Sequence, residues 1–289
     1  MSTRQHWQFR SRLRSHAFGW KGSRLACQRL KEAVTEIRKV ARVDPVTAGD
    51  GVVILAEKIW PAFQDIDTSS GALGGAVYGA QQDLLPILIE APADRKTRDK
   101  WLDRLWQAIE EDGVEYLSPM ECRWGELCRS REVASFWADQ LIGLLRAAWS
   151  DPRPGNYVRG TSLCFSSLLA AGRHQELFEL LALRRYPFWP DRKFGMEALL
   201  SEGRTDEALA YDSVLKESQK TTWPRVLAML MRWQALGMII AMLVGAATYD
   251  ATFLNAMFSA LGTEFSITRE AAHRIPTSLT LLLGVGALI

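Results

Sequence analysis

The sequence predicts an all-α chain: helical hairpins stacked as an α-solenoid, followed by one to two hydrophobic, transmembrane helices. Three observations predict it. No stretch in the first 220 residues sustains the period-two alternation of a half-buried strand. A ten-residue pattern, "LLAAGRHQEL" at 168–177, returns as "LLSEGRTDEA" at 199–208. From Val226 to Thr263 the only charged side chains are Arg232 and Asp250. The expected organisation is a basic N-terminal arm (1–19), an α-helical repeat domain (20–218) and a hydrophobic C-terminal segment (219–289).

The elements follow in order. Eight cations, from Arg4 to Lys31, precede the first acid, Glu32. Such a stretch suits phosphate or an anionic membrane surface, and it superficially resembles an organellar transit peptide. The expectation for the arm is a solvated, poorly ordered segment, with nucleic acid as a further candidate partner. No apolar run follows it, so no secretory signal is read. The net charge of +2 selects no partner in bulk.

In residues 24–43, Leu30, Val34, Ile37 and Ala41 fall on one helical face, and Asp44-Pro45 ends that helix. "DGVVILAEKIWPAF" predicts a second helix, bent or broken at Pro61. "TSSGALGGAVYGAQQ" is either a loop or a close helix contact. Trp101, Leu102, Leu105, Trp106 and Ile109 line one side of a further helix, with Asp94 or Thr97 as its cap and charged residues opposite. Residues 131–149 repeat that design.

The pattern shared by 168–177 and 199–208 is Leu-Leu-x-x-Gly-Arg-x-x-Glu, with Gly172-Arg173 and Gly203-Arg204 placed 31 residues apart. It describes a helix ending in glycine, a tight turn, and a second helix with an acid in its first turn. Recurrence near this period marks TPR-like solenoids. Each unit buries its apolar face only against its neighbours and leaves a surface for a protein partner.

Chemistry-bearing constellations are sparse. Four histidines limit acid–base options, and His174 falls in a repeat turn. Glu110, Glu111, Asp112, Glu115 and Glu121 are expected to form a solvated acidic loop, because paired-carboxylate catalysis would need them to converge in a cleft. The glycine-rich stretch lacks the preceding strand and the following Gly-Lys-Ser/Thr of a phosphate loop. Trp101, Trp106, Trp124, Trp137 and Trp149 sit among leucines at helical spacing, which reads as core. Cys27, Cys122, Cys128 and Cys164 show no zinc or redox spacing and are expected to be reduced thiols. The expectation is therefore a non-enzyme without cofactor or metal.

"WKGSRLACQRLKEAVTEIRKVAR", "IWPAFQDIDTSSGALG", "APADRKTRDKWLDRLWQAI", "YVRGTSLCFSSLLAAGRHQEL" and "DRKFGMEALLSEGRTDEALAY" together resemble an uncharacterised bacterial family of helical-repeat proteins. The resemblance runs from about Trp20 to Ser218 and implies a middle section of such a protein, with no chemistry to carry over.

Residues 234–261 supply 28 mostly apolar positions, enough for a tilted membrane span. The cations before it place that end, and the repeat domain, on the cytoplasmic side of the membrane. Asp250 inside such a span is costly and marks a functional position. "YDATFLNAMFSAL" with the following "GTEFSITREAAHRIPTSLTLLLGVGALI" is similar to the opening helices of major facilitator superfamily transporters of the drug–proton antiporter type. The resemblance implies transport-like polar roles for Asp250, Thr252 and Asn255, while Ser259 replaces the usual proline. One and a half spans cannot form an alternating-access path, so a fusion or truncated product is expected. The leading expectation is a repeat-based protein-interaction module tethered to the membrane by residues 226–289. The alternatives are a transporter fragment and nucleic-acid binding through the arm.

Overall fold

The computed structural model describes residues 5–150, 157–184 and 189–211. The chain divides into two compact units, Met1–Leu215 and Lys216–Ile289, and every described residue belongs to the first. That unit is all-α, and no strand occurs among the described residues. Its helices are α1 (Phe9–Arg12), α2 (Ser23–Ala41), α3 (Pro45–Phe63), α4 (Ala72–Glu90), α5 (Arg95–Glu111), α6 (Ser118–Cys122), α7 (Trp124–Cys128), α8 (Arg131–Ser150), α9 (Thr161–Ala171), α10 (His174–Leu183) and α11 (Trp189–Ser201). Residues 205–211 are helical again.

Two helix starts use the same device. Asp44 caps α3 by accepting the Thr47 N–H at 3.0 Å, and Asp94 caps α5 by accepting the Thr97 N–H at 2.7 Å. Pro45 follows Asp44 at the first helical position, where its missing N–H costs nothing. Pro61 does not break α3. It lies in the last turn, and the helix runs on to Phe63. The glycine-rich stretch starts in a turn at 68–71 and continues as a helix packed on α2 and α3, with Leu73, Val77 and Ala80 rather than its glycines buried there. Most of it lies in α4, and a methyl group at Gly74, Gly75 or Gly79 would meet nothing.

Helices α2, α3 and α4 pack on one another, with α5 against α3. Leu30, Val34 and Ile37 of α2 face this core, while Ala41 is half-buried. Short α6 and α7 touch both α4 and α9. Helix α9 is a hub, in contact with α6, α7, α8, α10 and α11, and it buries Leu163, Cys164, Phe165, Ser167 and Leu168 completely. An indole cluster fills the space beside α8: Trp124 meets Trp137 edge-on at 5.0 Å, and Trp106 meets it at 6.2 Å. The tryptophans named from their helical spacing are thus core, with Trp106 half-buried at its edge.

The N-terminal stretch differs from the solvated arm expected of it. Trp7, Phe9, Leu13 and Phe18 are buried, and α1 packs on α2 and α3. The Glu36 carboxylate accepts the Gln8 and Phe9 N–H groups at 2.8 and 3.2 Å, and Arg12 pairs with Glu32 at 2.6 Å. The cause is an apolar residue at nearly every turn between the cations, which drives the segment onto the bundle. Trp7 packs against α3 where Gly51 offers no side chain, and any Cβ there would collide with the indole.

Candidate functional site

The two Leu-Leu-x-x-Gly-Arg-x-x-Glu stretches fold into the same structure. Gly172 and Gly203 adopt left-handed φ of 73° and 74°, a conformation open to glycine at little cost. The Arg173 N–H donates to the Leu168 carbonyl at 2.9 Å, and the Gly172 N–H to Leu169 at 3.0 Å. The Arg204 N–H donates to Leu199 at 3.0 Å, and the Gly203 N–H to Leu200 at 3.0 Å. These are the paired bonds that close a helix with its last carbonyls satisfied. Each arginine then grips the acid three residues on with two prongs. Arg173 reaches Glu176 at 2.6 and 2.8 Å, and Arg204 reaches Glu207 at 2.8 and 2.6 Å.

The two turns differ in what else they hold. Arg173 also donates to Asp139 at 2.6 Å and Ser135 Oγ at 3.0 Å, which ties the first turn to α8. The Glu176 and Asp139 bonds raise its pKa beyond the ordinary arginine range. Arg204 instead pairs with Glu202 at 2.8 Å, within its own turn. The turns are joined to each other by His174 and Glu202 at 2.7 Å. Helix α11 packs on both α9 and α10, and Tyr211 of the next helical stretch closes over Gly195 of α11.

The five acids do not form one solvated loop. Glu110, Glu111 and Glu115 are exposed, but Asp112 and Glu121 are buried. Asp112 closes the loop after α5 by accepting the Val114 and Leu117 N–H groups at 3.2 and 2.8 Å. Burial raises its pKa. Burial pushes Glu121 up to about 7, and the charges of Glu115 and Asp112 push the same way against Arg159 and the Gly160 N–H. Tyr157 donates to the Glu115 carboxylate, and burial together with that bond raises the phenol. Arg159 donates to the Ile109 and Asp112 carbonyls, the last at 2.5 Å. Glu115 itself holds a left-handed φ of 61°. Residues 157–160 are thus clasped onto the 109–121 segment, and the buried carboxylates serve backbone groups. Spacing alone could not show this, because Tyr157, Arg159 and Gly160 arrive from about 40 residues away.

A cleft of about 620 Å³ lies between residues 5–10, α3 and α5, and carries Arg10, Asp50, Glu57 and Arg104 on its walls. Arg104 is held by both Glu57 oxygens at 2.7 and 3.0 Å and by Asp50 at 2.7 Å, so its cation is neutralised in place. Arg98, which the sequence put on the charged side of α5, is buried. Its guanidinium donates to the carbonyls of Leu88, Ile89, Ala91 and Leu127. It thereby satisfies the C-terminal ends of α4 and α7, where a cation is favoured.

Among the described residues no group of three His, Cys, Asp or Glu side chains is arranged to hold a metal ion. All four cysteines are free, and burial pushes the Cys128 and Cys164 thiols up to about 12. Among the described residues no helix is long and apolar enough to cross a membrane, and Asp250, Thr252 and Asn255 lie outside them. What the fold defines is an all-α protein with a duplicated helix–turn–helix device. Comparison of the chain with protein-family models, with curated proteins and with solved structures gives no match.

Proposed function

We propose that this chain is a non-enzymatic, helical-repeat protein-interaction module, tethered to the cytoplasmic membrane face by its hydrophobic C-terminal segment. The observation that carries the first half is the duplicated turn, with α11 packed on α9 and α10 as consecutive repeats pack on one another. Phe136, Leu144, Leu183, Leu200 and Leu209 expose large apolar side chains along this part of the molecule, which suits protein contact. The second half rests on the apolar run of 234–261 and its resemblance to transporter helices. The main competitor, a transporter fragment, is favoured by the Asp250-x-Thr252-x-x-Asn255 pattern within that run.

Photocrosslinking of the full chain in native membranes tests the interaction role. Probes replacing Leu144 or Leu200 should yield a discrete, saturable protein adduct. Probes at exposed Gly75 or Gly79 of α4 should not. Adduct patterns that ignore the face probed contradict the proposal.

A further inference from the structure

Charge within the folded unit is strongly segregated. Residues 5–43 hold ten Lys or Arg against two Glu, a net +8 in a chain whose total is +2, so everything else sums to −6. The fold sets four of these ten cations in one exposed row on a helix face. Arg24, Gln28, Lys31, Thr35, Lys39 and Arg42 follow one another at spacings of four, three, four, four and three, and all are exposed. The opposite face of α2 is the buried row of Ala26, Leu30, Ala33, Val34 and Ile37. The only two acids on α2 are engaged: Glu32 holds Arg12 and Arg29, and Glu36 caps the start of α1. Arg24, Lys31, Lys39 and Arg42, with Lys21 just before the helix, have no carboxylate partner among the described residues. Nineteen residues make this ridge about 28 Å long. Large apolar side chains stand out at both of its ends: Trp20 at 67% and Leu25 at 47% exposure, and Val43 at 88%.

We propose that the outward face of α2 is a docking ridge for an anionic lipid surface. Lys21, Arg24, Lys31, Lys39 and Arg42 meet the headgroup phosphates, while Trp20, Leu25 and Val43 enter the interface. A straight cationic row flanked by exposed indole and aliphatic groups is the arrangement by which a surface helix lies along a charged bilayer. Nucleic acid would also answer the cations, but the aliphatic pair Leu25 and Val43 has no role against a phosphate backbone, and membrane is the better fit. The ridge goes beyond the tether read from residues 226–289. It rests on that reading only for the presence of a bilayer nearby.

The test is flotation of the full chain with vesicles of phosphatidylcholine alone, or with 30% phosphatidylglycerol, at about 50 and 300 mM salt. Half-binding lipid concentration is the readout. Binding to neutral vesicles reports the hydrophobic segment. The ridge predicts at least a tenfold gain with phosphatidylglycerol, largely lost at the higher salt and absent in Lys21→Glu/Arg24→Glu/Lys31→Glu/Lys39→Glu. These positions are exposed and unpaired, and retained helical circular dichroism confirms folding of the variant. Anionic binding without neutral binding would sink the tether and leave the ridge standing. No gain from phosphatidylglycerol, an equal gain in the variant, or tighter salt-sensitive binding to duplex DNA than to the anionic vesicles would overturn the ridge.

Discussion

Arg173 and Glu176 form a two-pronged ion pair at 2.6 and 2.8 Å, directly after a left-handed glycine, and Arg204 with Glu207 reproduces it 31 residues later. The same side chains do unequal work. Arg173 is also bonded to Asp139 and Ser135 of α8, whereas Arg204 serves only its own turn. Arg173→Ala should therefore destabilise the folded unit by about 1–2 kcal/mol, while Arg204→Ala leaves the urea midpoint unchanged. Urea unfolding of both variants by circular dichroism checks the contrast.

The glycines should be more alike than the arginines. Gly172→Ala and Gly203→Ala each force a Cβ into a left-handed turn, at a cost of about 1 kcal/mol apiece. Since a methyl group at either position would touch nothing, the effect is backbone strain without a clash. Equal losses in urea midpoints are expected. A loss at one site alone would mean that the turns are not equivalent.

Arg98 is buried with its guanidinium bonded to four main-chain carbonyls. Arg98→Met keeps its packing but strips donors from four carbonyls at the ends of α4 and α7. The expected cost is about 3 kcal/mol. Lysine should recover little of it, because one ammonium cannot span the four acceptors. Thermal unfolding of the two variants measures both statements.

Glu121 gives the unit a pH dependence of defined sign. Its carboxyl is raised from 4.5 to about 7 in the folded state, so folding favours the protonated form. That contribution is fully present below about 4.5 and is lost as pH rises to about 7. Asp112, also raised, acts in the same direction. Glu121→Gln keeps an uncharged side chain at every pH. It should flatten the decline in urea midpoint between pH 5 and pH 7.5, where the unaltered protein loses up to about 3 kcal/mol.

Local rules made much of the fold legible. Leu30, Val34 and Ile37 announced the buried face of α2, Asp94 was one of two cap candidates for α5 and is the one that caps it, and the glycine–arginine pattern announced a repeated turn that the structure contains. What escaped were features that distance in sequence conceals. Trp7, Phe9, Leu13 and Phe18 lie among cations, and local charge density outweighed their apolar spacing. Asp112 and Glu121 look like surface acids until residues 157–160 close over them. Arg98 has no signature, because its partners are main-chain carbonyls on α4, on the segment after it and on α7. Pro61 predicted a bend or a break, and it lies in the last turn of α3, two residues before the helix ends.

The most direct measurement is alkaline carbonate extraction of membranes containing the full chain, beside residues 1–215 produced alone. The account predicts that the full chain stays in the membrane pellet and needs detergent, while 1–215 is helical and monodisperse in water. A full chain recovered as a monodisperse, detergent-free solution would contradict it.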